Sequence, residues 1–308
     1  MEHLYDIIIV GGGPAGYTAA LYASRAGLDM LLIERMGAGG QMTQTGDIDN
    51  YPGFDNGIDG FELAMRMQKG AERFGAKTVY AEVESTELSG RIKIINTKNA
   101  VYKAKTVVIA TGASPKPLGL ANEKELVGRG LHYCAHCDGR FYKDKTVVVV
   151  GGGNSAAEDA LYLSRIAKTV YLVHRRNELR AARLYSEAIA RTENIIFLPE
   201  SEIAELKAEP KLSQAIIRSV ASGETKALEC DGVFVAIGRS PITAFLGSEL
   251  ETDKNGYIVT DESTKTNLDG VFAAGDVRTK ELRQIVTAVA DGAVAVHFAE
   301  MYIDENEF

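Results

Sequence analysis

Three cysteines in 308 residues are too few for a disulfide-stapled secreted domain and too few for a four-cysteine zinc site. Basic residues are also short, 34 against 42 acidic ones, for a formal charge of -8 and a pI near 5.3. That balance disfavours nucleic acid or an anionic membrane as the main partner, although a local basic cluster can still hold a small phosphate. No apolar run approaches the length of a membrane span. The start, Met1-Glu2-His3-Leu4-Tyr5-Asp6, has no cationic region and leads into only four apolar residues, Ile7 to Val10, unlike a signal peptide. The expected setting is a reducing cytoplasm, where two close thiols are catalytic or redox-sensing and not a structural staple. What remains is ordinary globular composition, 45% hydrophobic and 25% charged, with length enough for two domains.

Two of the three cysteines fall in Cys134-Ala135-His136-Cys137-Asp138. Thiols separated by two residues, with an acid directly after, can cycle between dithiol and disulfide. Half of a zinc site is the competing reading, but it needs two more ligands and only Cys230 is left, with no Cys or His spaced beside it. A pair of inert buried thiols is the other alternative.

The rest of the chain repeats one grammar. Asp6-Ile7-Ile8-Ile9-Val10 reads as a buried parallel strand that feeds Gly11-Gly12-Gly13-Pro14-Ala15-Gly16 and a helix over Tyr17 to Ala26. Glycines at 11, 13 and 16 permit a tight turn, a close approach of backbone to a pyrophosphate, and close helix packing. The helix N-terminus then faces the anion. A second strand, Met30 to Ile33, ends in Glu34, where an acid can take ribose hydroxyls. The pattern returns 140 positions later as Thr146-Val147-Val148-Val149-Val150 and Gly151-Gly152-Gly153-Asn154-Ser155-Ala156. Each copy closes on a strand, a glycine and a Ser-Pro, at Val107 to Pro115 and at Val233 to Pro241, which read as chain crossings out of a domain.

In the second copy the strand Val170-Tyr171-Leu172-Val173 ends in His174-Arg175-Arg176, with Arg180 beyond. Arginine forks suit a 2′-phosphate, so this site is expected to prefer NADPH over NADH. A solvated helix start is the plainer reading of such a charge run. Further on, the apolar run 271–274 ends in Gly275-Asp276, and a small-residue helix begins around Arg283-Gln284-Ile285. An Asp there can accept from ribityl hydroxyls, or it can simply cap the helix. The fold expected is α/β with two Rossmann-like dinucleotide-binding domains, the second inserted into the first: 1–114, 115–243 and 244–308.

Taken jointly, the two glycine turns, Gly39-Gly40-Gln41, Asn50-Tyr51-Pro52-Gly53, Thr111-Gly112, the Cys-x-x-Cys-Asp in the second fold, His174-Arg175-Arg176 with Arg180, and Gly275-Asp276 with Arg283-Gln284 resemble low-molecular-weight thioredoxin reductases. The resemblance runs from the first strand to the last helix. It implies a homodimer carrying FAD, and electrons passing from NADPH through FAD and the Cys134/Cys137 disulfide to thioredoxin. Asp138 would be the acid. FAD contacts implied are Gly11, Gly13, Pro14, Ala15, Glu34, Arg35, Gly40, Gln41, Asn50, Val83, Thr111, Gly112, Gly275, Asp276, Arg283, Gln284 and Ile285. For NADPH they are Gly153, Asn154, Ser155, His174, Arg175, Arg176, Arg180 and Arg239. His136 departs from the family pattern, which has Thr there. A ferredoxin-dependent flavin reductase, expected to lack the arginine cluster, and a non-enzymatic redox sensor are the alternatives. Because the cysteines and the NADPH site share the insert, the insert is expected to rotate about residues 112–117 and 238–244 between half-reactions.

Overall fold

Strand β1 (Leu4–Val10) carries Ile7, Ile8, Ile9 and Val10, each at most 3% exposed, so both of its faces are covered as a central parallel strand requires. Each such side chain contributes roughly 1.5–3 kcal/mol by leaving water. Helix α1 (Pro14–Arg25) starts on a proline, whose missing N–H is of no consequence in a first turn. It returns the chain to β2 (Met30–Glu34), parallel to β1 with Ile7 opposite Met30. The structure is a computed structural model that describes residues 3–44 and 47–308.

Helix α2 (Gly60–Glu72) follows, started by the Asp59 carboxylate accepting from Glu62 N at 2.9 Å, and leads to β3 (Thr78–Tyr80), parallel to β2. Strands β4 (Val83–Glu87), β5 (Lys93–Thr97) and β6 (Val101–Ile109) then form an antiparallel meander. Strand β6 also pairs parallel with β1, which gives the order β3-β2-β1-β6-β5-β4. The chain leaves at the short strand Ala113–Pro115 and returns at Arg239–Pro241, and these two strands pair with each other.

Between the crossings lies a second compact unit, Pro115–Arg239. In chain order it holds β7 (Leu131–His132), the one-turn helix α3 (Ala135–Asp138), β8 (Thr146–Val150), α4 (Asn154–Ser164), β9 (Thr169–Val173) and β10 (Ile195–Leu198). Next come three antiparallel strands, β11 (Ser201–Ala208), β12 (Leu212–Ser219) and β13 (Thr225–Glu229), and then β14 (Gly232–Val235). Its main sheet is parallel throughout, ordered β7-β14-β8-β9-β10. Val147, Val148 and Val149 are fully buried at its centre, as the unbroken β-branched run predicts.

The other unit is Met1–Ser114 with Ser240–Phe308. Thr111 Oγ1 donates to Ile242 O at 2.7 Å, and Ile242 N donates to Gly112 O at 3.0 Å, so the returning residues are bonded to the first unit from Ser240 on. The division therefore falls after Arg239, ahead of residue 243. Strand β15 (Val271–Ala273) adds to β6 in parallel, and α5 (Ile285–Glu305) sets Ala288, Ala295 and Ala299 against Ala15, Ala19 and Ala23 of α1. By length and composition α5 could cross a membrane, the one such helix among the described residues. It is instead a core helix, holding the buried Asp291 in contact with Arg278 Nε at 2.9 Å and Lys280 Nζ at 2.7 Å. Those cations and the Gly275 N–H hold the Asp291 carboxyl below the usual carboxylate range despite its burial.

Candidate functional site

The first glycine turn connects β1 to α1. Gly11 sits at φ +108°, and a Cβ on it would lie 2.5 Å from Ala110 O, so no other residue fits between the two strands there. Gly12 N donates to Glu34 Oε2 at 2.6 Å and Met36 N donates to Oε1 at 3.0 Å, which aims the carboxylate from the end of β2 across the turn while leaving lone pairs on both oxygens. Gly13, the N-cap of α1, has open space above it and the helix has no side-chain cap, so its first N–H groups are offered outward. An anion fits that cradle.

Other expected residues gather at this turn. Gly39 N donates to Gly12 O at 2.7 Å, bringing the Gly40–Gln44 turn, with Gln41, beside it. Ala15 lies against Gly275, where an added Cβ would be 3.1 Å from that of Ala15. Asp276 belongs to the turn Gly275–Val277, and Arg283 Nε donates to its backbone O at 3.4 Å. The N-cap of α5 is Gln284, whose N–H donates to Thr287 Oγ1 at 3.1 Å while its Oε1 accepts from Asn50 Nδ2 at 2.9 Å. Ala81 N donates to Glu34 O at 2.9 Å, which sets Val83, the first residue of β4, near the end of β2. Arg35 is paired with Glu82 at 3.6 Å.

The second turn repeats the frame with other chemistry. Gly151 sits at φ +149° with Ala236 O where its Cβ would be, and Gly153 is an open N-cap on an uncapped α4. In the place of Glu34 stands His174, only 5% exposed, its ring filling the space a Cβ on Gly152 would take. Burial, and then the charges of Arg180, Arg176 and Arg175, push its imidazole below the usual range, so it is neutral at pH 7. It is a floor under the turn. Asn154 Oδ1 accepts from Ala182 N at 2.8 Å, and Arg180 N donates to Gly152 O, at 2.6 Å, folding the arginine loop back onto the turn. Arg175, Arg176 and Arg180 are exposed and make no side-chain ion pair among the described residues; guanidinium forks of this kind suit a phosphate. Arg239 is placed differently, with Nη2 donating to Tyr133 O at 3.3 Å.

Cys134 and Cys137 form a disulfide, with S–S 2.10 Å and Cα–Cα 5.3 Å, across α3. Asp138 N donates to Cys134 O at 3.2 Å, closing the helical turn that sets the acid beside the pair. Both sulfur residues are half-buried and Asp138 is buried. The exposed His136 lays its ring 4.1 Å from that of Tyr162 on α4. Cys230 is buried apart from them, and burial with the Asp231 charge pushes its thiol up to about 12, so it supplies no thiolate near neutrality. Among the described residues no group of three His, Cys, Asp or Glu is arranged to hold a metal ion.

Sequence reasoning missed a partner of the acid. His132, at the end of β7, lies with Nδ1 3.1 Å from Asp138 Oδ2 and Nε2 2.6 Å from Tyr142 OH. It missed Glu123 as well, which accepts from Leu118 N at 2.7 Å, Gly119 N at 2.8 Å and Tyr133 OH at 2.6 Å and so ties down the residue before Cys134. No spacing rule joins these residues to Cys134 or Asp138.

The model of the pyridine nucleotide-disulphide oxidoreductase family matches residues 5–292. The chain is 47% identical over 306 residues to a thioredoxin reductase of Listeria monocytogenes, covering 99% of this chain and 95% of that one. It is 44% identical over 312 residues to one of Peptoclostridium acidaminophilum, covering 99% of both. The crystal structure of thioredoxin reductase from Streptococcus pyogenes superimposes with a TM-score of 0.93 at 43% identity, over 99% of this chain and all of that one. With two dinucleotide turns, an arginine-lined second site and a Cys-x-x-Cys disulfide in place, the chain belongs to the pyridine nucleotide-disulphide oxidoreductase family.

Proposed function

We propose that the protein is an NADPH-dependent thioredoxin-disulfide reductase. The carrying observation is the Cys134–Cys137 disulfide within the same compact unit as the glycine turn and its three exposed arginines. FAD, when bound, supplies the conversion between a two-electron hydride donor and a dithiol. Gly11, Gly13 and the start of α1 hold its pyrophosphate and Glu34 its ribose, with Asn50, Asp276, Arg283 and Gln284 along the remainder. Gly153, Asn154 and Ser155 hold the NADPH pyrophosphate, and Arg175, Arg176 and Arg180 hold the 2′-phosphate.

The thiols divide the remaining work. Cys137 is the sulfur that receives electrons, and Asp138 holds the proton its thiolate takes up as the S–S bond opens. Cys134 then attacks the thioredoxin disulfide, forming a mixed disulfide that Cys137 resolves, so two electrons leave as a thioredoxin dithiol and the Cys134–Cys137 bond is restored. The insert carries both the cysteines and the NADPH site, and it takes turns at one ring by rotating about the paired crossings. The protein works as a homodimer in the cytoplasm, with no membrane or nucleic-acid partner. NADPH oxidation assayed with and without oxidised thioredoxin tests the reading. Turnover that needs thioredoxin and disappears in Cys134→Ser is expected, whereas NADPH oxidation that does not respond to thioredoxin, or thioredoxin-dependent turnover that survives in the Ser variant, would refute it.

A further inference from the structure

Asp138 is the acid of the reading above, yet nothing in a Cys-x-x-Cys-Asp run explains how a buried carboxyl keeps one orientation while it gains and loses a proton. The structure supplies a support on the far side. Strand β7 ends in His132, 7% exposed, whose ring stacks on Phe234 of β14 at 5.2 Å between centroids and 26° between planes. Its Nδ1 faces Asp138 Oδ2 at 3.1 Å and its Nε2 meets Tyr142 OH at 2.6 Å. Tyr142 is itself fixed, because its ring occupies the space a Cβ on Gly232 would fill. Burial, with Asp138, Asp231 and Cys230 adding to it, pushes the phenol well above its usual range, so Tyr142 keeps its proton; a carboxylate oxygen facing Nδ1 only accepts, so in the neutral ring Nδ1 carries the hydrogen and Nε2 accepts from the phenol. The phenol's donation keeps the imidazole proton on Nδ1, turned toward Asp138.

We propose that His132 is a positioning residue for Asp138: Tyr142 fixes its tautomer, and its Nδ1–H holds Oδ2, leaving Oδ1 to carry the proton that the Cys137 thiolate takes. The arrangement serves both states of the acid with one tautomer. Oδ2 accepts from Nδ1–H whether Oδ1 carries the proton or not, so no buried polar atom is orphaned when the proton leaves. In the step itself two electrons from the reductant, NADPH in the holoenzyme or dithiothreitol in the chemical assay, open the S–S bond; both sulfurs become thiolates, Cys137 takes the Oδ1 proton, Cys134 stays the thiolate that attacks thioredoxin, and Asp138 is left a carboxylate facing Nδ1–H.

The inference rests on Asp138 being the acid, and the test separates the two. Reduction of the Cys134–Cys137 disulfide is followed on the holoenzyme in two ways: with dithiothreitol and thiol trapping, which uses no NADPH, and with NADPH in a stopped-flow instrument that resolves flavin reduction from disulfide reduction. His132→Phe, which keeps the ring on Phe234, is expected to slow disulfide reduction on the order of tenfold in both assays and leave flavin reduction by NADPH unchanged. His132→Asn, which restores a donor near the Nδ1 position, is expected to recover to within about threefold of the parent. Should the Phe variant not purify with its flavin, His132→Gln, whose amide reaches only the Tyr142 side, replaces it with the same expected loss. Parent-like disulfide reduction in the Phe or Gln variant, an Asn variant as slow as Phe, or equal slowing of flavin and disulfide reduction each overturns the positioning role. If Asp138→Asn does not slow disulfide reduction, the acid assignment fails instead.

Discussion

The two glycine turns share one backbone frame and differ most at the side chain that ends the second strand. Gly12 and Gly152 stand at the same place in their copies, and the end of the second strand points at each. In the first unit that end is Glu34, which accepts the Gly12 N–H at 2.6 Å. In the second it is His174, a neutral buried ring beneath Gly152, followed by three exposed arginines. A frame that holds a pyrophosphate through N–H groups and a helix end is indifferent to which dinucleotide it holds. In the proposed assignment selection falls to what stands at the strand end: a carboxylate for ribose hydroxyls, or guanidinium groups over a neutral floor for a phosphate. A protonated His174 would crowd the arginines further, and its depressed pKa avoids that.

The largest test exchanges the third glycine position between copies. Gly16 has no room for a Cβ, which would collide with Gly11 O, whereas the second copy has Ala156 fully buried there. Gly16→Ala is expected to abolish retention of FAD through purification, read from the visible spectrum. Ala156→Gly should cost only about 1 kcal/mol in a chemical denaturation curve and leave NADPH affinity intact. Equal, mild effects at both positions would mean the two turns are not packed differently.

A smaller effect is expected from the strand ends. Arg175→Ala with Arg176→Ala should raise the KM for NADPH roughly 30-fold and that for NADH less than about threefold, since only NADPH carries the phosphate. An equal rise for both would return the cluster to a solvated surface.

The smallest test concerns the helices behind the turns. Ala19 is fully buried in α1, while its counterpart in α4 is Asp159, whose carboxyl is pushed up to about 7 by burial, then by Glu158, with Arg239 partly opposing. Against the usual 3.8, the folded protein binds more protons than the unfolded one between those values, so this group makes stability fall as pH rises from about 4 to about 7. Asp159→Ala should raise Tm at pH 8 and leave it unchanged at pH 4. A gain of the same size at both pH values would show that the substitution acts through packing alone.

Much of this was legible because the repeat is written in backbone-determined residues. Four-residue β-branched runs bounded by glycine favour buried parallel strands, and Gly11 and Gly151 hold conformations that side chains oppose, so both turns stand out at a fixed spacing. The cysteine pair is legible for the same reason, being local. What stayed hidden depends on the long way round the sheet. His132 meets Asp138 because β7 ends where α3 turns, and Tyr142 meets His132 only because Gly232 leaves room for its ring. The contact of Arg239 Nη2 with Tyr133 O and the seat of the His174 ring beneath Gly152 are likewise set by the fold and by no spacing rule.

The central claim is that one dinucleotide turn serves a bound flavin, the other an NADPH donor, and that the electrons reach thioredoxin through Cys134 and Cys137. An anaerobic titration of the purified protein with NADPH, followed by its visible spectrum, tests all three at once. Flavin and disulfide each take two electrons, so the parent should absorb two equivalents of NADPH before the flavin is fully bleached, the Cys134→Ser/Cys137→Ser variant one, and added oxidised thioredoxin should restore the colour in the parent alone. A protein that stays colourless after incubation with FAD, or a parent and a double variant that consume the same number of equivalents, would contradict it.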